Sequence, residues 1–203
     1  LLNRLFKMRM NAWAFENPSY KKASIQYSSF LNATGVLLCS VELLPGKMEK
    51  GISEFIAQQE QIFRYGFTRA EIERAKKVIY NNLENKLQNQ QNPTSIELMN
   101  DVYADFYVGN RFTSLQEEYQ LVQLYFPEID SVALARNLAK VYSPRKMHYL
   151  LRANEKADKE VGGDMTLMAI IKEARKQSLE RYNKHVSVPD ELCQFPSGGH
   201  VVK

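Results

Sequence analysis

SIQYSSF (24–30), NATG (32–35), GVLLCSVELL (35–44) and the closing PG (45–46) decide the fold. Ile25 and Tyr27 alternate with Ser24, Gln26 and Ser28, the period of a half-buried strand. The second run is more uniformly apolar, as a central strand is. The polar residues between the two predict a hairpin, and Pro45-Gly46 predicts its end. From Lys47 the period changes to 3.6. Ile52, Phe55, Ile56, Gln59, Ile62 and Phe63 share one face of a helix that stops at Gly66, a C-terminal glycine cap. Strands followed by many helices predict an α+β fold, a two-layer sandwich with helices packed on one face of a mostly antiparallel sheet.

Working outward, residues 1–11 read as a helix, with Leu2, Leu5 and Phe6 at helical spacing. Downstream, three capping boxes mark helix starts: Thr68 with Glu71, Thr94 with Glu97, and Ser114 with Glu117. In each, the hydroxyl and the carboxylate three residues on satisfy backbone N–H groups that a helix start leaves unpaired. The first helix carries Ile72, Ala75, Ile79, Leu83 and Leu87 and fades into the polar run 88–92. The second carries Ile96, Met99, Val102, Tyr103 and Phe106. The third, with Leu115, Tyr119, Val122 and Phe126, ends at Pro127. Asp130 caps a further helix with Leu134, Leu138 and Val141 inward. Met147–Leu151 is expected as a last strand. A polar, glycine-containing break at 156–164 sets a domain boundary near residue 157, beyond which Leu167, Ile170, Ile171 and Ala174 predict one more helix. The proline- and glycine-bearing tail 186–203 has no period.

Composition excludes several classes of function. The 203 residues, 44% hydrophobic and 25% charged, are those of an ordinary globular chain. A net charge of +4 is spread thinly, with no block of like charges to imply a nucleic-acid partner. The longest uncharged apolar run, Gly35 to Val41, is far too short for a membrane helix. Cys39 and Cys193 form no CxxC pair, and Cys39 reads as a buried thiol in a strand. Asn32-Ala33-Thr34 fits a glycosylation triplet of low specificity. The opening Leu-Leu-Asn-Arg lacks an initiator methionine, so the chain is expected to be an excised fragment, and nothing in it marks a compartment.

Catalytic chemistry is not written in these residues. A hydrolytic zinc site takes about three protein ligands, commonly two histidines one helical turn apart. The histidines are His148, His185 and His200, and no HxxEH or HExxH joins any of them. No G-x-S-x-G elbow marks a nucleophilic serine. Gly198-Gly199 lacks the strand, helix and lysine of a phosphate-binding loop. The cations of 66–77 could suit a DNA-reading helix, but Glu71 and Glu73 alternate with them and would repel phosphate. No catalytic, metal-binding or cofactor-binding residue is therefore assigned.

Residues 66–76, Gly-Phe-Thr-Arg-Ala-Glu-Ile-Glu-Arg-Ala-Lys, closely resemble the G-F/V-T-x-x-E-L-x-x-A-K segment of the pitrilysin/insulinase family of zinc metallopeptidases, the inverzincins. Leu2-Asn3-Arg4-Leu5 resembles that family's L-N-x-R-L helix, and residues 20–30 the strand after it. Glu118-Tyr119 with Pro127 and Ile129 resembles E-Y … L-P-x-I. Residues 192–201 resemble L-L-x-x-x-P-x-x-G-x-I. Five such motifs in order, over residues 1 to about 202, are more specific than any one alone.

The resemblance implies a role. Family members have two related halves, each of two domains sharing one α+β fold, which close around a peptide substrate. The zinc motif H-x-x-E-H lies in the first domain of an active half. This chain resembles the second domain of the first half (residues 1–157) followed by a helix and linker toward the second half (158–203). The resemblance implies a non-catalytic domain that helps enclose peptides. Zinc belongs to the parent enzyme, and the partners are the catalytic domain, the second half and the peptide substrate. The family's strand and helix before L-N-x-R-L are missing, so the sheet is expected to be incomplete, with a free edge able to pair in a homodimer. The competing reading is a helical interaction module of a catalytically dead scaffold, built on the amphipathic helices 47–65 and 68–90.

Overall fold

The computed structural model describes residues 1–16, 19–30, 34–89, 94–109 and 113–183. Helix α1 (Leu2–Glu16) leads into an antiparallel hairpin of β1 (Tyr20–Phe30) and β2 (Thr34–Leu43). The register sets Ile25 against Cys39 and Tyr27 against Leu37. A period of two then places Ala23, Ile25, Leu37, Cys39 and Val41 on one face. The opposite face is polar along β1 and carries the paired hydroxyls of Ser24 and Ser40, 2.8 Å apart. Thr34–Leu43 and Tyr20–Phe30 are the two strands predicted, each shifted by a few residues, and α1 runs five residues beyond the predicted 1–11. Residues 31–33 between the strands, with Asn32 and Ala33 of the triplet, lie outside the described residues, and Thr34 opens β2.

Helix α2 (Met48–Tyr65) is the central element. Phe55 and Ile62 join Leu5, Phe6 and Met10 of α1, Ile25 of β1, and Ile72 of α3 (Arg69–Gln88) in the larger core. Met48, Ile52 and Ile56 join Val161, Ile171 and Ala174 in a second core. α2 lies so close to the hairpin that a Cβ on Gly51 would stand 2.7 Å from the Ser19 carbonyl oxygen. Only glycine permits that approach. Gly66 ends α2 at φ 69° and ψ −151°, a conformation open to glycine almost alone.

The three capping boxes form as predicted, on α3, on α4 (Ser95–Tyr103) and on α5 (Leu115–Tyr125). Asp130 caps α6 (Ser131–Val141) by accepting from the Ala133 N–H at 2.7 Å. α2 has no cap of its own. Glu160, on α7 (Glu155–Val161), supplies one from across the fold, its carboxylate accepting from the N–H groups of Gly46 at 3.2 Å and Met48 at 3.3 Å. The boundary expected near residue 157 falls inside α7, and α8 (Gly163–Lys176) shares the second core with α2, so apolar packing runs across that position.

One expectation is corrected. Met147–Leu151 forms no ladder among the described residues; it lines, together with β2, a common cleft. The apolar residues of α4 are exposed. Met99 is 64% exposed and Phe106, in the π-helical turn Ala104–Val108 that continues α4, is 77% exposed. Helical spacing marks an apolar face, and here no other element among the described residues covers it.

Candidate functional site

The feature with most capacity for chemistry or recognition is the cleft along β2, about 840 Å³. Its floor is one helical face of α2, namely Ile52, Phe55, Ile56 and Gln59, with Leu167 and Ile171 of α8 beside it. One wall is β2 from Gly35 to Val41, and the other is the stretch Lys140–Arg152. The spacing of three and four residues that made α2 amphipathic thus builds both the core and the cleft floor.

The sheet has two strands, and its two outer edges are treated differently. On β1, the side chain of Asn3 serves as a surrogate neighbour. Its Nδ2 donates to the Tyr27 carbonyl at 2.8 Å, and its Oδ1 accepts from the Tyr27 N–H at 2.7 Å. Tyr27 therefore turns its backbone groups away from β2. Because residues two apart share an orientation, so do its register partner Leu37 and, further along, Cys39 and Val41, whose N–H and C=O groups face the cleft. They take no backbone partner outside the ladder among the described residues. Gln59, 2% exposed, adds a buried Oε1 with no hydrogen-bond partner. The Cys39 thiol is pushed up to about 12 by burial, so at neutral pH it is an inert apolar group rather than a nucleophile.

Behind the cleft, Glu60 anchors a charged cluster. It is 6% exposed, accepts from the Tyr142 hydroxyl, and pairs with Arg175 at 3.3 Å and Arg64 at 3.8 Å. Burial, then the Glu60 contact, raises the Tyr142 phenol above its ordinary value. Tyr149, which accepts from Arg175, is raised chiefly by burial. A carboxylate bonded by a phenol and a guanidinium is a joint between α2, α8 and the end of α6. Glu60 and Arg175 face one another, while the Arg64 side chain is 43% exposed.

His148 is exposed on the cleft wall, and His185 and His200, like Cys193, lie outside the described residues. Among the described residues no three His, Cys, Asp or Glu side chains are grouped to hold a metal. No helix of the described residues is long and apolar enough to cross a membrane. Sequence reading missed the cleft and the Glu60 cluster. Neither left a local signal: Gln58, Gln59 and Glu60, all buried, sit on a helix that also carries Glu49, Lys50, Glu54 and Gln61.

The fold is shared with a periplasmic protease and with a predicted insulinase-family protease. In particular, the first half of the periplasmic protease PqqL from Escherichia coli aligns over 90% of this chain at TM-score 0.75 and 20% identity. The whole PqqL protease aligns over the same share at TM-score 0.74. A predicted insulinase-family protease from Yersinia pestis aligns over 86% at TM-score 0.60 and 12% identity. The chain spans 40% of the PqqL half and 21% of the whole protease. No protein-family model and no curated protein sequence matches it. The family resemblance carried by residues 66–76 and the three-dimensional likeness therefore point the same way.

Proposed function

We propose that this chain is a non-catalytic domain of a zinc-dependent endopeptidase of the pitrilysin/insulinase type, the domain that follows the metal-bearing one in the first half. The observation that carries the reading is the superposition of nine-tenths of the chain on less than half of a protease half. In this reading the hairpin and the helices on its inner face belong to a two-layer sandwich, and the domain forms part of the wall of a chamber admitting unfolded or short peptides. Zinc and the residues that activate water lie outside these 203 positions, in the catalytic domain, and residues 158–203 supply a helix and linker toward the second half. The apolar side chains that α4 leaves in water support a chain that works inside a larger body, since isolated domains seldom expose such a patch.

Metal content and hydrolysis of a quenched fluorogenic peptide, measured on the 203-residue chain and on the longer protein containing it, test the reading. The chain alone should bind no stoichiometric zinc and turn over nothing, and the longer protein should do both and lose its activity to a chelator. Zinc with turnover in the chain alone would overturn the proposal, as would a longer protein capable of neither.

A further inference from the structure

We propose that the hollow between α3 and the short helical turn Phe126–Glu128 binds the C-terminal residue of a peptide, an apolar side chain on a residue that bears a free carboxylate. The inference goes beyond the reading above and holds whether or not the parent hydrolyses peptides.

Glu73, Lys76, Lys77 and Tyr80 recur at three and four residues, so a single stripe of α3 forms one wall. Phe126 and Pro127 form the other. The aromatic corner is fixed before any ligand arrives. The Tyr80 hydroxyl donates to the Val122 carbonyl at 3.2 Å, and the Tyr80 ring stands edge-on to Phe126 with centroids 5.3 Å apart. The hollow measures about 270 Å³ and opens to solvent. Sites that enclose a whole small molecule measure roughly 300–1,000 Å³. One side chain therefore fits, and the rest of the ligand stays outside.

The charges state what that residue must carry. Lys76 is 7% exposed, so its ammonium has lost most of its water. An ammonium has three N–H groups to place, and the partner of Lys76 among the described residues is Glu73, at 3.0 Å. Lys77, exposed beside it, takes part in no ion pair among the described residues. Two ammonium groups against one carboxylate leave a single positive charge beside the aromatic corner. A monovalent carboxylate neutralises it through charge-assisted hydrogen bonds. A phosphate dianion fits worse: Glu73 repels its second charge, and the middle of a helix offers it no free backbone N–H. A carboxylate and an apolar side chain on one residue meet only at a chain end. Leu124 and Tyr125, exposed at the end of α5 just before Phe126, offer apolar surface to the residues upstream of that end.

The test titrates the 203-residue chain, followed by NMR shifts, with four probes: acetylated Ala-Leu-Ala-Phe with a free carboxylate, its C-terminal amide, acetylated Ala-Leu-Ala-Gly with a free carboxylate, and phenylpropanoate. The Phe acid should bind saturably and shift Lys76, Lys77, Tyr80 and Phe126. The amide should bind about tenfold more weakly for want of a charged acceptor. The Gly acid should bind about tenfold more weakly for want of an apolar side chain. Phenylpropanoate, which lacks the upstream residues, should also bind more weakly than the Phe acid. Lys76→Met, which keeps the buried stem, and Lys77→Glu, at an exposed position that folding does not need, should each weaken the Phe acid about tenfold and leave the amide unchanged. Equal binding of acid and amide, equal binding of Phe and Gly acids, or an unchanged Phe acid in Lys77→Glu would refute the proposal. So would shifts confined to other residues or no saturable binding. Tighter binding of phenylpropanoate would assign the hollow to a free small acid and overturn the peptide end.

Discussion

The guanidinium of Arg9, wholly buried, donates through Nε and Nη2 to the two carboxylate oxygens of Glu71 across 62 residues of sequence. The same Glu71 closes the capping box of α3, accepting from the Thr68 N–H at 2.8 Å. Rings of Trp13, Phe67 and Tyr182 surround the cation, with the Tyr182 centroid 3.7 Å away. One carboxylate thus starts a helix and neutralises a charge that water cannot reach. Glu71→Gln keeps a capping side chain but strands the cation, and should cost about 3–5 kcal/mol. Arg9→Met, which removes the charge and keeps an unbranched stem, should cost less, and the double variant should recover much of the single loss. Urea unfolding of the three variants measures this. Equal and additive losses would contradict the pairing.

Two capping boxes of the same chemistry should behave differently. Thr68→Ala removes a cap from α3, whose Ile72, Ala75 and Leu83 are in the core, and should lower global stability by about 1 kcal/mol. Thr94→Ala removes the cap from α4, which has no buried residue. Its loss should accelerate amide exchange along α4 and leave the global midpoint in place. A common shift in both variants would show α4 to be more tightly coupled than its exposure indicates.

Those caps also explain what was legible. A hydroxyl and a carboxylate three residues apart act on neighbouring N–H groups, so Thr68, Thr94, Ser114 and Asp130 could be read from local spacing alone. The strand pair was readable for the same reason, because Ile25 and Tyr27 repeat at two. The exposure of Phe106 and Met99 was not legible, because periodicity reports a face without its partner. The cleft could not be read at all. It depends on Asn3 reaching Tyr27 and on Met147–Leu151 standing apart from β2, relations set by the tertiary path and by no local pattern.

Alkaline pH should unfold this chain earlier than an unperturbed set of phenols and thiols would. Burial raises Tyr20, Tyr142 and Tyr149 and pushes Cys39 up to about 12. These acids hold their protons longer when folded than when unfolded. Above roughly pH 8.5–10 the unfolded chain releases protons first, and stability falls as pH rises toward the folded values. Below that window their contribution is intact. Urea midpoints between pH 7 and 11 should decline from about pH 9, and Tyr142→Phe should flatten part of the slope. A flat profile to pH 11 would contradict the assignment.

Glu60 offers the sharpest test of long-range architecture. Its partners Tyr142 and Arg175 come from distant parts of the chain, Tyr142 lying 82 residues away, and together they tie α2 to α8 and to the end of α6. Glu60→Ala leaves Arg175 beside an empty, desolvated position and should cost about 3–5 kcal/mol. Tyr142→Phe removes a neutral donor and leaves the carboxylate its guanidinium partners, so about 1 kcal/mol is expected, with the stacked contact to Phe63 (centroids 4.0 Å) preserved. If the three groups act as one joint, losses in Glu60→Ala/Tyr142→Phe will be smaller than the sum of the singles. Additivity within about 0.3–0.5 kcal/mol would mean that Glu60 serves Arg175 and Tyr142 independently.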